Sequence, residues 1–531
     1  MCSLKIASKD TGLRPHLPWA LLPAVVFLAG PMPQVAAQGD GELITMYQLI
    51  ELRGEGDGSA RAYAINNTGQ IIGYVQAGDL KHSAYWHNRD FTDLHGMVHF
   101  DLRHPLFDQD YSEAYCISDG GQIVGTARTL IECPPEFVIT NAFVVRPAVL
   151  TDLATPYPGD ALTNLMTLGD PCNLAYDSAA IGISNNNHVV GWADREDGVT
   201  HAFLVVPGGG SFYTDVDDNR VNDLMIDLGT LAASDPVSSA TAVNDSGQVT
   251  GYSYTYSGGA AGYHAFLITP LDTDADGVGD TWFVDAGDGA NALMIDLGTL
   301  GGTNSWGRAI NNAGQIVGES DLDAPTGEHY TRAFIWSGGV MTDLGTLRDD
   351  PNHGFSAASG INNNGVVVGW AENEKRERRA FIWKDGRMQD LNDLLYLRNE
   401  DGSTTSTSIV LTEARDINDD GLIVGWGTVK GSKGSTTRGF LLTPIRVDPA
   451  DLEEDEGSDS DDRPSTGSTG YSGVPIFGLP DDLVGGGNAG DGTDEPATPS
   501  GPSFHGLCGG GSLTMLPLTV LGWCALKIRR R

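Results

Sequence analysis

The feature that most constrains this chain is a ten-residue pattern, Ala309-Ile310-Asn311-Asn312-Ala313-Gly314-Gln315-Ile316-Val317-Gly318, which recurs in seven versions. The copies centre on Ile65, Ile117, Ile183, Val243, Ile310, Ile361 and Ile417, and each carries a matching glycine at Gly73, Gly125, Gly191, Gly251, Gly318, Gly369 or Gly425. An apolar residue enters an Asn-Asn-x-Gly corner, where Asn and Gly tolerate the positive φ of a tight hairpin, and a β-rich run leaves it. These are strands A and B. A small residue followed by an aromatic then marks strand C, with Tyr85, Phe143, Phe203, Phe266, Phe334, Phe381 and Phe440 in one slot. Strand D carries an Asp-Leu pair, which recurs at Leu94, Leu153, Leu228, Leu297, Leu344 and Leu391.

Four short antiparallel strands per unit fit a propeller blade with loop insertions. The ends decide between a ring and an open array. Met46 to Leu52 reads like the D strand from Met294 to Leu300, while the seventh unit stops after its C strand at Phe440 to Leu442. A ring needs such closure and a solenoid does not. The expected fold is therefore all-β, a seven-bladed β-propeller spanning 38–446, with a β-solenoid or stacked sandwich as the alternative.

The Ala-Phe units, preceded by His in His201-Ala202-Phe203 and His264-Ala265-Phe266 and followed by Asp-Leu-Gly-Thr-Leu, resemble the bacterial extracellular HAF repeat family. The likeness covers about residues 43 to 445. It implies an exported repeat protein and no particular activity.

The chain of 531 residues has net charge −38 and 70 glycines, so it reads as an acidic, glycine-rich globular protein. Such acidity argues against nucleic acid, whose phosphates need Lys and Arg, and favours cation-binding surfaces. Residues 1–37 have the form of a secretory signal peptide: Lys5, Lys9 and Arg14, an apolar run from Leu17 to Gly30, then Val35-Ala36-Ala37. An uncleaved anchor is the rival reading, weakened by Pro18 and Pro23. Residues 447–507 turn to Asp, Glu, Ser, Gly and Pro and read as a disordered acidic linker.

Residues 508–531 combine Cys508, an apolar stretch from Leu513 to Leu526 and a basic end at Lys527 to Arg531. They resemble a three-part sorting signal of bacterial surface proteins, with Cys508 as a processing or lipid-attachment residue. A simple membrane helix and an apolar tail without such a role remain open, since the stretch is short for a bilayer and contains Pro517. Contact with the membrane or cell envelope is expected through this segment.

Cys116 occupies a slot held elsewhere by Ala64, Ala242 and Ala309, and reads as a packing residue. If strands alternate up and down, the B–C and D–A loops leave one face, and those loops carry Cys133 and Cys172. In an exported protein a Cys133–Cys172 disulfide is the favoured reading. His82, His95, His99 and His104 share that face as well, but match no tight zinc motif. His201, His264 and the recurrent Asp227, Asp296, Asp343 and Asp390 read as strand or turn hydrogen-bonders.

No nucleophile elbow, phosphate-binding loop, His-Glu-x-x-His pair or dinucleotide fingerprint is present. Three functions stay in view: a non-enzymatic, monomeric cell-surface propeller binding a glycan or protein, an architectural surface or matrix component, and a glycan-active enzyme with paired carboxylates at the axis.

The sharpest chemical signal is Asp272-Thr273-Asp274-Ala275-Asp276-Gly277-Val278-Gly279-Asp280, in the fourth C–D connection. Carboxylates at alternate places around a turn glycine converge on one hard cation, so Asp272, Asp274, Asp276, the Val278 carbonyl and Asp280 are candidate calcium ligands. The pattern departs from a full EF-hand loop at Phe283, with Asp285 and Asp288 as possible substitutes. Asp215 to Asp223 is a weaker relative without the turn glycine. A solvated Asp-Gly loop is the bland alternative.

Overall fold

The computed structural model describes residues 43–448 outside 54–58, 78–79, 88–97, 102–106, 132–136, 146–161, 169–175, 233–236, 258–259, 288, 324–329, 351–352, 398–405 and 432–433, together with 504–505 and 512–513. Residues 1–37, expected to be a signal peptide, lie outside the described residues, as do Cys133, Cys172 and Cys508 and nearly all of residues 447–531. Among the described residues no helix is long and apolar enough to cross a membrane.

The chain folds as seven antiparallel blades in a seven-bladed β-propeller. Blade 3 shows the plan, with Ser178–Ile183, Val189–Asp194, Thr200–Val205 and Met225–Asp227 paired in order A, B, C, D. The other A strands are Ala60–Ile65, Phe107–Ile117, Ser238–Val243, Gly301–Ile310, Ser356–Ile361 and Ile409–Ile417. Each A strand touches the A strand of the next blade all the way round, so these strands form the innermost ring.

Closure runs as the sequence implied. Ile44–Leu52 pairs with Gly434–Val447 of blade 7 and supplies its D strand. The register is three residues away from the one expected. Glu51 stands opposite Phe440, as Asp296 stands opposite Phe266, so Leu52 matches Leu297 rather than Leu300.

Two other D strands also differ from expectation. In blade 2 the strand is Leu162–Met166, with Asn164 opposite Phe143, so Leu165 and not Leu153 takes the apolar slot. In blade 1 it is Val98–Asp101, and Asp101 faces Ala84. Ala84, not Tyr85, therefore lies opposite Gly73, and Tyr85 pairs with Ile72. The Ser83 N–H taken by Ser112 Oγ at 3.2 Å, as Ala142 N–H is taken by Ser178 Oγ at 2.9 Å, fixes the same one-residue shift.

The repeat glycine has a steric cause. Every A strand bulges two residues before its terminal apolar residue, as between Gly307 and Ala309. The bulge turns a carbonyl toward strand B, and a Cβ at Gly318 would lie 1.9 Å from the Trp306 oxygen. Only glycine fits there. The C-strand aromatic closes the other side, with Phe334 3.1 Å from that same point.

The A–B corners hold the blades to each other. Asn311 Oδ1 accepts Ala313 N–H at 3.1 Å and Gln315 N–H at 3.0 Å, stapling its own turn, while its Nδ2 donates to the Asn362 carbonyl of the next blade at 3.1 Å. Gly314 takes the positive φ, 74°, and in blade 3 Asn187 does so at 65°. The next residue builds a belt. Backbone N–H groups of Asn67, Asp119, Asn185, Asp245, Asn312, Asn363 and Asp419 each donate to the side-chain oxygen of the following member at 2.8–3.0 Å, and Asp419 donates back to Asn67.

At the closing junction Asp416 adds a contact that the other blades lack. It occupies the slot of Ala64, Cys116, Gly182, Ala242, Ala309 and Gly360, and its carboxylate accepts Ile65 N–H of blade 1 at 3.0 Å and Ile417 N–H at 2.9 Å. Cys116 itself is buried, with Sγ 3.7 Å from the Ile183 carbonyl.

Two outcomes follow from closure. Removing residues 43–53 leaves an edge of Gly434–Val447 unpaired and should lower the melting temperature of the whole ring cooperatively; a chain beginning at Ser59 that melts like the intact one refutes this. Burial raises the Asp416 pKa from 3.8 to about 7 against the pull of its two N–H donors and Arg415. A folded-state value above the unfolded one means that this group's stabilising share is full below about pH 4 and is lost as pH rises through 7. The unfolding free energy of the protein minus that of Asp416→Asn should therefore fall between pH 4 and 8, and a flat difference would rule it out.

Candidate functional site

The residue after each repeat glycine, with its cross-strand neighbour on strand A, forms one level of the inner ring. The pairs are Arg61–Tyr74, Glu113–Thr126, Ala179–Trp192, Ser239–Tyr252, Trp306–Glu319, Ala357–Trp370 and Glu413–Trp426. Six of the seven carry a Tyr or Trp, so an aromatic girdle surrounds the axis. Strand direction places it between the A–B corners and the end from which the B–C and D–A connections leave. The sequence carries this signal in Gly-Tyr and Gly-Trp steps, which reading the apolar pattern alone passes over.

Charges are threaded through the girdle. Lys81 Nζ reaches Glu113 in the next blade at 2.8 Å, and Tyr115 OH donates to the same carboxylate at 3.1 Å. Arg378 makes the equivalent bridge from blade 6 to Glu413 in blade 7, which Arg415 also holds. Arg308 pairs with Glu319 within blade 5. Partners of this kind are what make burial of Glu113 and Glu413 tolerable, since a buried charge without one is strongly disfavoured.

Around Trp426 the rings converge. The guanidinium of Arg61 lies 4.7 Å and that of Arg415 5.1 Å from its centroid, and Tyr63 approaches it edge-on at 6.0 Å. Tyr63 also packs on Tyr74 at 5.5 Å and on Tyr115 at 6.3 Å. Burial, then the nearby Glu113 carboxylate, pushes the Tyr63 phenol well above its ordinary pKa. Arg61, Trp192 and Trp370 are the partly exposed members of this level, and Lys81 and Arg378 come in from the C strands two residues further along, with the Arg378 guanidinium stacked 3.9 Å over the Trp370 ring. An indole beside a cation, as at Trp370, can stack on a planar or pyranose face while the cation hydrogen-bonds its substituents.

The acidic loop gathers three of its four expected carboxylates. Ligand oxygens of Asp272, Asp274 and Asp276 lie within 4.8 Å of one another. Asp280 stands apart from that group, with its carboxylate held by Thr273 N–H at 3.1 Å and by the Thr273 and Thr281 hydroxyls. Val278 donates its N–H to Asp276 Oδ1 at 2.8 Å and leaves its side chain in solvent. Asp272 accepts Asp276 N–H at 3.2 Å and Gly277 N–H at 2.9 Å. The loop at Asp215 repeats this pattern: Asp215 accepts Asn219 and Arg220 N–H at 3.0 and 2.9 Å, and Asp223 accepts Val216 N–H at 2.7 Å. Arg220, at φ 66°, stands where Gly277 stands at 90°, so the missing glycine changes the strain and not the shape.

His201 and His264 bond as expected of strand-edge residues. Nδ1 of His201 meets Asp227 at 2.8 Å, and Nδ1 of His264 meets Asp296 at 2.8 Å, joining strand C to strand D. Each Asp also accepts the N–H of the glycine two residues on, Gly229 at 2.8 Å and Gly298 at 2.7 Å. Burial would raise the Asp227 pKa, but His201, Gly229 N–H and Arg195 outweigh it and hold the carboxyl below its ordinary range. The His-Ala-Phe and Asp-Leu-Gly patterns are thus two halves of one contact. The side chains at 82, 95, 99 and 104 lie outside the described residues.

The sequence pattern of a family described as "Protein of unknown function (DUF3466)" matches residues 162–343 and 350–455, together more than half of the chain. No curated protein matches it. Among solved structures it is similar to a puromycin hydrolase mutant complexed with PGG, at 12% identity and TM-score 0.36, covering 72% of this chain and 52% of that one. It is also similar to Trypanosoma rangeli sialidase, at 9% identity and TM-score 0.32, covering 75% and 59%, and to an α-L-arabinofuranosidase from Podospora anserina in complex with cellotriose, at 9% identity and TM-score 0.25, covering 75% and 96%. The chain thus spans little more than half the length of the first two.

Proposed function

Since the chain belongs to the DUF3466 family, a membership that brings no activity with it, we propose on physical grounds that it is an exported, non-enzymatic propeller that binds a glycan at the axial girdle. The observation that carries this reading is the group of Arg61, Trp192 and Trp370 with the strand-C cations Lys81 and Arg378, where two indoles are partly exposed and one of them, Trp370, lies under a guanidinium. Sugars present an apolar face to an aromatic ring and hydroxyls to charged groups around it, which is the chemistry gathered there.

Binding without turnover is supported by the state of the three carboxylates at the girdle level. Glycoside hydrolysis needs one carboxyl able to give up a proton and another free to attack or to activate water. Glu113, Glu319 and Glu413 are each clamped by a cation, an arrangement that ties blades together. Export, through residues 1–37, and envelope attachment through residues 508–531 belong to the same proposal, as does the kinship to HAF repeat proteins. So does calcium at Asp272, Asp274 and Asp276, which would order a long C–D insertion without any catalytic part.

Screening the full chain on a panel of polysaccharides, with retention and sugar release recorded together, should give retention without release. Trp192→Ala should weaken the retained glycan about tenfold, roughly 1.4 kcal/mol. Released sugar would refute the non-enzymatic reading, and no retention on any glycan would refute the girdle as a glycan site. For calcium, calorimetry should find one weak site, on the order of 10⁻⁴ to 10⁻³ M, that disappears in Asp274→Ala plus Asp276→Ala. Equal heats and equal melting for the double variant would remove it.

A further inference from the structure

Among the described residues the inner ring holds one cation that the pairing scheme leaves over. Blades 2 and 7 carry Glu113 and Glu413 at the fifth residue from the end of strand A, each met by a cation from the preceding blade, Lys81 or Arg378. Blade 1 carries Arg61 at this place instead, and the equivalent residue of the preceding blade is Thr437. Among the described residues the Arg61 guanidinium makes no ion pair and no hydrogen bond, and its Nε is shut off from solvent without a partner. It is held between the rings of Trp426 at 4.7 Å and Tyr74 at 5.9 Å.

Two residues along the same strand face, Tyr63 is fully buried and its hydroxyl also lacks a hydrogen-bond partner among the described residues. Its ring packs against the same Trp426 and Tyr74 that flank Arg61. The half-buried guanidinium, fixed by these two aromatics that the buried Tyr63 ring packs on as well, is a preorganised donor for an oxyanion. A carboxylate meets the outer N–H groups of this guanidinium in paired bonds, at little cost in ordering the side chain.

We propose that Arg61, with Tyr63 beside it, receives the carboxylate of an acidic glycan. The inference rests on the glycan reading above and adds the charge of the ligand. The overall electrostatics oppose such a ligand. A chain of net charge −38 repels polyanions as a body, so retention of one requires a local site that overcomes the field of the whole. Lys81 is committed to Glu113, Arg308 to Glu319, and Arg378 and Arg415 to Glu413, which among the described residues leaves Arg61 as the inner-ring guanidinium without an acidic partner.

The test compares polygalacturonate with its methyl ester, the same backbone with the charge masked, on the full chain in about 0.15 M salt, where exposed long-range charge effects are largely screened. Polygalacturonate should bind at least tenfold more tightly than the ester. Arg61→Gln should abolish that preference while the melting temperature stays within a degree or two, Arg61→Lys should keep part of it, and Tyr63→Phe, which removes a hydroxyl that solvent does not reach, should leave the preference in place. If both polymers bind alike and Arg61→Gln changes neither, the assignment of Arg61 fails while glycan binding stands. If neither polymer nor any neutral glycan is retained, the glycan reading itself fails. Binding of inorganic phosphate or free galacturonate with no retention of the polymer would make this a small-anion site and overturn the proposal.

Discussion

The ring depends on the belt of corner hydrogen bonds more than on any single blade. Each blade is a small sheet that cannot bury both faces alone, and its position is set by its neighbours. At the corners, a backbone N–H of one blade meets a side-chain oxygen of the next, from Asn67 round to Asp419 and back. One such bond, half in water, contributes about 1 kcal/mol or less. Because the series closes, none can be lengthened without straining the others, and the spacing between blades is fixed at the inner edge. Just inside it, the buried Asn66, Asn244, Asn311, Asn362 and Asn418 carry the same restraint across five junctions.

A second set of contacts works at the other end of the A strands. Serines there accept the N–H of the residue before the C-strand aromatic in the preceding blade and donate to a carbonyl after its D strand, as Ser305 does with Ala265 N–H and the Gly298 oxygen. Between these two sets the strand bulges, and the bulge is what brings the carbonyl against the repeat glycine. The girdle lies at this level, so its aromatics are positioned by backbone geometry and do not depend on loop conformation.

Much of this was legible in the chain. The seven corners, the glycine, the closing strand and the Asp-Leu pairs announce a ring because each is short-range and recurs. The D strands of blades 1, 2 and 7 were harder, since Asn164 and Glu51 stand where Asp is usual and long insertions precede Val98 and Leu162. Spacing cannot place a strand across such a loop. The charge pairs were not legible at all: Lys81 and Glu113, or Arg378 and Glu413, are joined by the packing of neighbouring blades, and no local pattern links them. In the acidic loop the alternation of Asp272, Asp274 and Asp276 was readable, but the capture of Asp280 by two threonines was not.

The belt has an arithmetic consequence. Going round, its members are amide, acid, amide, acid, amide, amide, acid, from Asn67 to Asp419. Acid and amide prefer to alternate, since each amide can donate to the carboxylates on either side, as Asn185 does to Asp119 and Asp245. An odd number of members forbids strict alternation, so one like pair is unavoidable. Two adjacent carboxylates would repel; the chain instead sets Asn312 beside Asn363, and their amides turn outward to Asp245 and Asp419. A six- or eight-membered ring would have no such defect, so the placement of a single neutral pair records in chemistry that the blades number seven.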